Sequence, residues 1–153
     1  MPTTSSLPRI DEHSVLVEAP PDRVWEELLT VAEGSTSGRG APRYARLVGC
    51  ADTEATGPRP LEPGSAFPGF HVEQADAPRE LALAGGHRFS DYGLVFRLDE
   101  LDDGRRTRLR AETRAVFPGI KGEAYKTAVI RSRGHVLVVR RMLGAVRRRA
   151  ERP

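Results

Sequence analysis

His71 and Glu73 stand two residues apart in "FHVEQAD", residues 70–76. In an extended strand that spacing puts both side chains on one face. An imidazole beside a carboxylate can move a proton at a bound substrate, or orient one by hydrogen bonds. On a water-facing strand the same pair does neither. Tyr125 adds a hydroxyl to a ring that otherwise packs in a core. His71, Glu73 and Tyr125 are therefore the candidate catalytic groups. His135 follows Gly134 in a helical stretch and faces either a cavity or water. His87 lies beside a predicted turn, where exposure is expected, and His13 reads as structural at the edge of the first strand. Four scattered histidines and the single Cys50 lack zinc or redox spacing, so no metal and no cofactor is expected. Cys50 has only Arg46 as a basic neighbour in the sequence and does not read as a reactive thiol.

Arg88, Tyr92, Glu112 and Arg114 are polar groups on predicted strands. An inward arginine can hold a carboxylate or phosphate with two parallel hydrogen bonds. The alternative is a cross-strand charge ladder, and the density of arginine over residues 105–114 favours it. Several motifs are missing. There is no G-x-G-x-x-G after a strand, no P-loop, no H-E-x-x-H and no G-x-S-x-G, which weakens nucleotide, zinc-protease and serine-hydrolase readings.

These residues need elements to position them. "HSVLVEA", residues 13–19, alternates as a strand, and Pro20-Pro21 ends it. Proline is tolerated in a helix's first turn, and Asp22 suits the helix dipole there. Val24, Trp25, Leu28 and Leu29 then form one apolar stripe, so the strand feeds an amphipathic helix. "GSTSGRGAP" at 34–42 is a flexible connection. "RYARLVGC" at 43–50 alternates as a strand, and the proline-rich stretch at 51–64 reads as a loop. Phe70, Val72 and Gln74 oppose His71 and Glu73 on the next strand. Gly85-Gly86 reads as a hairpin turn, and Asp103-Gly104 as a second. After it Thr107, Leu109, Ala111, Thr113 and Ala115 alternate with charged residues, as in a sheet with one wet face. Residues 118–153 read as a long C-terminal helix, with Tyr125, Val129, Val136, Val139, Leu143 and Val146 on one broad stripe and Gly134 marking a bend or a close approach. Residues 1–11 read as a flexible leader and 12–150 as one domain. The expected fold class is α+β, a curved antiparallel sheet wrapped on the final helix.

With 153 residues the chain can bury a sizeable core without cross-links. Its net charge of +3 conceals a split. Residues 1–76 carry 6 Arg against 12 acidic groups, whereas residues 77–153 carry 18 basic against 9 acidic. Such a split can serve an anionic partner, but a solvated sheet face and helix end account for it more simply. No specific nucleic-acid partner is expected, because Arg140–Arg152 lacks interleaved aromatics. No signal sequence or membrane span is read, and the expected location is the cytoplasm, as a monomer or homodimer.

The order of elements, together with Val17, Pro20, Pro21, Val24 and Trp25 as a "V-x-x-P-x-x-V-W" type of opening and "FPGIKGEAYKTAVIRSRGHVLVVRRMLGAVRR" as a gripping helix, resembles the START-like superfamily, also called SRPBCC or the helix-grip fold. The resemblance covers about residues 12–150 and carries no universal catalytic motif. It implies a cavity between the sheet and the C-terminal helix that takes an apolar or amphipathic molecule, lipid- or polyketide-like. Tyr92, Glu112, Tyr125, Val129, His135 and Val136 are the residues expected to line it. Three functions compete: a small-molecule binding protein, a cyclase- or dehydratase-type enzyme in the same cavity, and an interaction protein using the arginine-rich end. The first is favoured. Fold alone does not transfer function.

Overall fold

The computed structural model describes residues 3–35, 41–128 and 133–153. Strand β1 (Arg9–Val17) runs into helix α1 (Pro21–Gly34) with Pro21 in its first turn. Helix α2 (Ala41–Val48) follows. Then come β2 (Ala66–Phe67), β3 (Phe70–Asp76), β4 (Glu80–His87), β5 (Ser90–Leu101) and β6 (Arg106–Val116), and the helices α3 (Gly119–Lys126) and α4 (Gly134–Ala150). The six strands form one antiparallel sheet in the order β1-β6-β5-β4-β3-β2. Every neighbouring pair except β1 and β6 is consecutive along the chain, so the sheet is a meander closed by bringing β6 beside β1. This is the expected α+β class.

The concave face packs against α1 and α4. Val17, Val24, Trp25 and Leu28 from the first two elements meet Leu81, Phe96 and Leu109 from the sheet and Val139, Leu143 and Val146 from α4 in one apolar cluster. Burial of that surface is the main force holding helices to sheet. Among the described residues no helix is long and apolar enough to cross a membrane.

Four expectations change. Residues 41–48 are helical, not a strand. The apolar positions 41, 44, 45 and 48 repeat at helical spacing as well as they alternate, and Ala45 is buried while Leu47 is exposed. Gly85-Gly86 is not a turn. Both lie inside β4, paired with Tyr92 and Asp91, and the chain reverses at Arg88-Phe89 instead. The single C-terminal helix is two, because Arg133 holds a left-handed backbone (φ 59°) immediately before α4 begins at Gly134. The stretch read as a leader carries a 3-10 turn at Thr4–Ser6 and the first residues of β1, with Thr4 and Leu7 buried. The Asp103-Gly104 reversal between β5 and β6 is as expected.

The convex face is a charge ladder, and Glu112 belongs to it rather than to a ligand site. Its carboxylate accepts from Arg114 Nε and from Arg97 Nη1 at 3.4 Å, with Arg9 Nε at 3.8 Å. Arg114 also donates to the carbonyls of Ser5 and Leu7, strapping the N-terminal turn to the sheet. Burial alone would raise the Glu112 carboxyl. The hydrogen bond from Arg114 and the charges of Arg114, Arg97 and Arg9 override it and hold the group below its ordinary value. A carboxyl depressed in the folded state stabilises fully above its unfolded value and loses that contribution as pH falls through the folded one. Glu112→Gln is therefore expected to cost about 2 kcal/mol at neutral pH. In urea titrations at decreasing pH, the gap between variant and parent should shrink below the ordinary value of 4.5. A gap that does not change with pH would refute the assignment.

Candidate functional site

Between the concave sheet face and α4 lies a cavity of about 590 Å³, within the ordinary range for small-molecule sites. Its lining is built element by element. Leu83 and His87 come from β4, Tyr92 and Leu94 from β5, and Thr113 and Ala115 from β6, each at an inward position of its strand. Phe67, Pro68, Gly69 and Phe70 form the turn between β2 and β3. Phe117 and Tyr125 close one side, and His135, Val138, Val139 and Met142 of α4 form the opposite wall. Ala45 of α2 and Cys50 complete the rim.

One region of this lining is aromatic. Tyr92 meets Phe70 edge-on with centroids 5.2 Å apart. His87 meets Tyr125 edge-on at 4.7 Å, and Tyr125 stacks on Phe89 at 5.6 Å. Aromatic pairs prefer such tilted and offset geometries. Tyr92 donates its hydroxyl to the Gly69 carbonyl at 2.6 Å. Burial first, and then the neighbouring Cys50, push that hydroxyl far above its ordinary pKa, so it stays a neutral donor. Burial also lowers His87, against the pull of Asp91, and its Nδ1 accepts the Phe89 N–H at 3.1 Å. His87 is thus a neutral imidazole carrying its proton on Nε2. Burial raises the Cys50 thiol, which lies 4.0 Å from the Tyr92 hydroxyl, so it remains protonated at neutral pH.

The other region is polar. Asp11 and His13 of β1 face the same side as Val15, and Thr113 lies directly opposite Asp11 on β6. His135 Nε2 is 2.7 Å from Asp11 Oδ2, and His13 Nε2 is 3.4 Å from the same oxygen. His13, Asp11 and His135 also line a second recess, with Val136 and Arg140. His135 therefore belongs to both spaces. Among the described residues no group of three or more His, Cys, Asp or Glu side chains could hold a metal ion.

Of the residues singled out from sequence, Tyr92, Tyr125 and His135 line the cavity. Val136 lies in the second recess and Glu112 on the convex face. Val129 lies outside the described residues. His71 and Glu73 do not line the cavity. His71 is paired with Asp52 at 2.7 Å, and Glu73 accepts the Thr4 backbone N–H at 3.0 Å. Both lie on the outer face: Phe70 and Val72 take the inward positions of β3, His71 pairs with Ala84 beside inward Leu83, and Glu73 reaches Thr4 on the far side of the sheet. A bulge between Val72 and Gln74 leaves Glu73 without a register partner. No acid–base pair forms there. His87, expected to be exposed, is half-buried in the lining.

Asp11 and Thr113 were not singled out. Asp11 fell in the supposed leader. Extending the alternation of His13, Val15 and Val17 back by one step places Asp11 on their face, and that was the available signal.

No protein-family model matches the chain, and no curated protein sequence matches it. Solved structures do. Protein CV1439 from Chromobacterium violaceum is 12% identical, with 95% of this chain and 100% of that one covered at a TM-score of 0.57. Truncated norcoclaurine synthase from Thalictrum flavum is 10% identical, with 97% and 98% covered at 0.54. Ara h 8.0201 is 11% identical, with 92% and 95% covered at 0.51. At such identities the likeness is one of fold, the curved sheet gripping a C-terminal helix.

Proposed function

We propose that this chain, whose backbone is the START-like helix-grip fold, is a small-molecule binding protein. Its ligand is a single apolar or amphipathic molecule containing rings. The observation that carries this reading is the cavity of about 590 Å³, open on one side and lined mainly by carbon and aromatic surface, with few polar groups. Apolar burial supplies affinity in such a site, and the few polar groups set orientation. The rings of Phe70, Tyr92 and Tyr125 present faces and edges that suit a flat partner. A lone, protonated thiol suits a reducing cytoplasm as the place of action.

Titration with the uncharged fluorophore phenylnaphthylamine tests this. The expected result is a saturable, one-to-one rise in emission with folded protein at neutral pH, insensitive to added salt. Native mass spectrometry of freshly purified protein, paired with solvent extraction, then identifies what the cavity carries. Absence of saturable binding by protein that melts cooperatively would overturn the reading.

A further inference from the structure

Four of the five buried side-chain polar atoms without a hydrogen-bond partner among the described residues lie on three elements that meet at one place. They are Asp11 Oδ1 and His13 Nε2 on β1, Thr113 Oγ1 on β6, and His135 Nδ1 on α4, with His13 Nε2 having only the long 3.4 Å contact to Asp11 Oδ2. The fifth, Thr4 Oγ1, packs on the other face of the sheet, over Gly93. A buried polar atom left unpaired costs free energy, so a cluster of them marks a place where something else supplies the bonds. Two of the four, on His135 and Thr113, belong to residues that line the cavity.

Their chemistry defines the missing group. The Asp11 carboxylate can only accept, so the 2.7 Å contact puts the His135 proton on Nε2. In the neutral ring Nδ1 is then a lone-pair acceptor, and the carboxylate behind the ring strengthens it. Thr113 Oγ–H can donate. One hydroxyl group satisfies both, giving its proton to Nδ1 and taking one from Thr113. A carboxylate does not fit, because it would set lone pair against lone pair close to the charge of Asp11. An ether can accept from Thr113 but leaves Nδ1 unpaired. The more acidic the O–H, the better the donation.

We infer that Asp11, His135 and Thr113 form an anchoring site for an acidic hydroxyl, a phenol or an enol, at one end of an otherwise apolar ring-containing ligand. The inference rests on the binding function proposed above. Asp11 does not touch the ligand. It is a positioning residue that fixes the tautomer of His135.

The test is equilibrium binding of three probes of one ring system, naphthalene, naphthol and methoxynaphthalene, with the oxygen at the same ring position in the last two. Naphthol is expected to bind the parent protein about tenfold more tightly than methoxynaphthalene. Thr113→Val should weaken both oxygen-bearing probes alike and leave their ratio unchanged. Asp11→Asn can donate to Nε2 and move the proton to Nδ1. It should therefore bring the ratio to within about twofold, an effect that a merely structural role for Asp11 would not produce. Equal binding of all three probes by the parent would overturn the inference and leave the cavity function standing, with water filling the polar end. Failure of all three to bind would remove the binding function itself. A naphthol preference that survives Asp11→Asn would overturn the tautomer assignment. The parent comparison needs no variant, so a substitution that fails to fold does not spoil it.

Discussion

Gly85→Ala is expected to destabilise the protein by about 3 kcal/mol or more, a large cost for one methyl group. Gly85 sits inside β4 opposite Tyr92. The Tyr92 ring lies across the space that a side chain would occupy. A β-carbon there would come within 2.6 Å of Tyr92 Cε2 and would collide with the Gly69 carbonyl oxygen. Neither can retreat easily. The oxygen is backbone, in a turn whose Gly69 already holds φ +91°, and it accepts the Tyr92 hydroxyl. The added carbon thus opposes β4–β5 pairing, the turn between β2 and β3, and a buried hydrogen bond together. Gly34→Ala is the control. It lies at the end of α1 with no described atom within 4 Å of its β-carbon position, and should be neutral or stabilise by up to about 1 kcal/mol. Urea midpoints for both variants decide it. A Gly85→Ala midpoint matching the parent would mean that Gly85 is there for turn-forming freedom after all.

Gly85-Gly86 also marks a limit of local sequence pattern. Gly85-Gly86 between two apolar runs is a fair turn signal. What makes it a strand is a ring seven residues further on, and local pattern carries no information about that approach. The strongly patterned pieces were readable for physical reasons. Pro20-Pro21 both ends a strand and opens a helix, and the alternation from Thr107 to Ala115 has to put charge outside. His71 and Glu73 share the strand face opposite Phe70 and Val72, and the apolar pair is the one that turns inward, so the two polar groups lie outside the cavity. The site was half readable for a related reason. His135 follows from helix phase, but its meaning depends on Asp11, which is 124 positions away along the chain. Only the β1–β6 closure of the sheet, which seats β1 against α4, brings the two together.

The largest expected effect on function comes from filling the cavity. Ala115 is 5% exposed, lies opposite Tyr92 on the concave face, and borders the open volume. Overpacking costs stability when added atoms have no room. Here about 590 Å³ lies beside the methyl group, so tryptophan can be accommodated at a modest cost in stability. The same atoms then occupy the space and cover the aromatic surface that the ligand needs. Ala115→Trp should lower phenylnaphthylamine affinity by at least about tenfold, and lower naphthol affinity similarly, since loss of apolar contact precedes any polar anchoring. Its urea midpoint should change far less than that of Gly85→Ala. Arg108→Trp places the same ring on the exposed convex face, one strand position beyond buried Thr107, and should leave both affinities unchanged. The pair separates cavity occupancy from general surface stickiness. If the two variants bind alike, the fluorophore sits on the surface. If only Ala115→Trp fails while still melting cooperatively, the ligand lies where β4, β5 and β6 face α4, beside Tyr92.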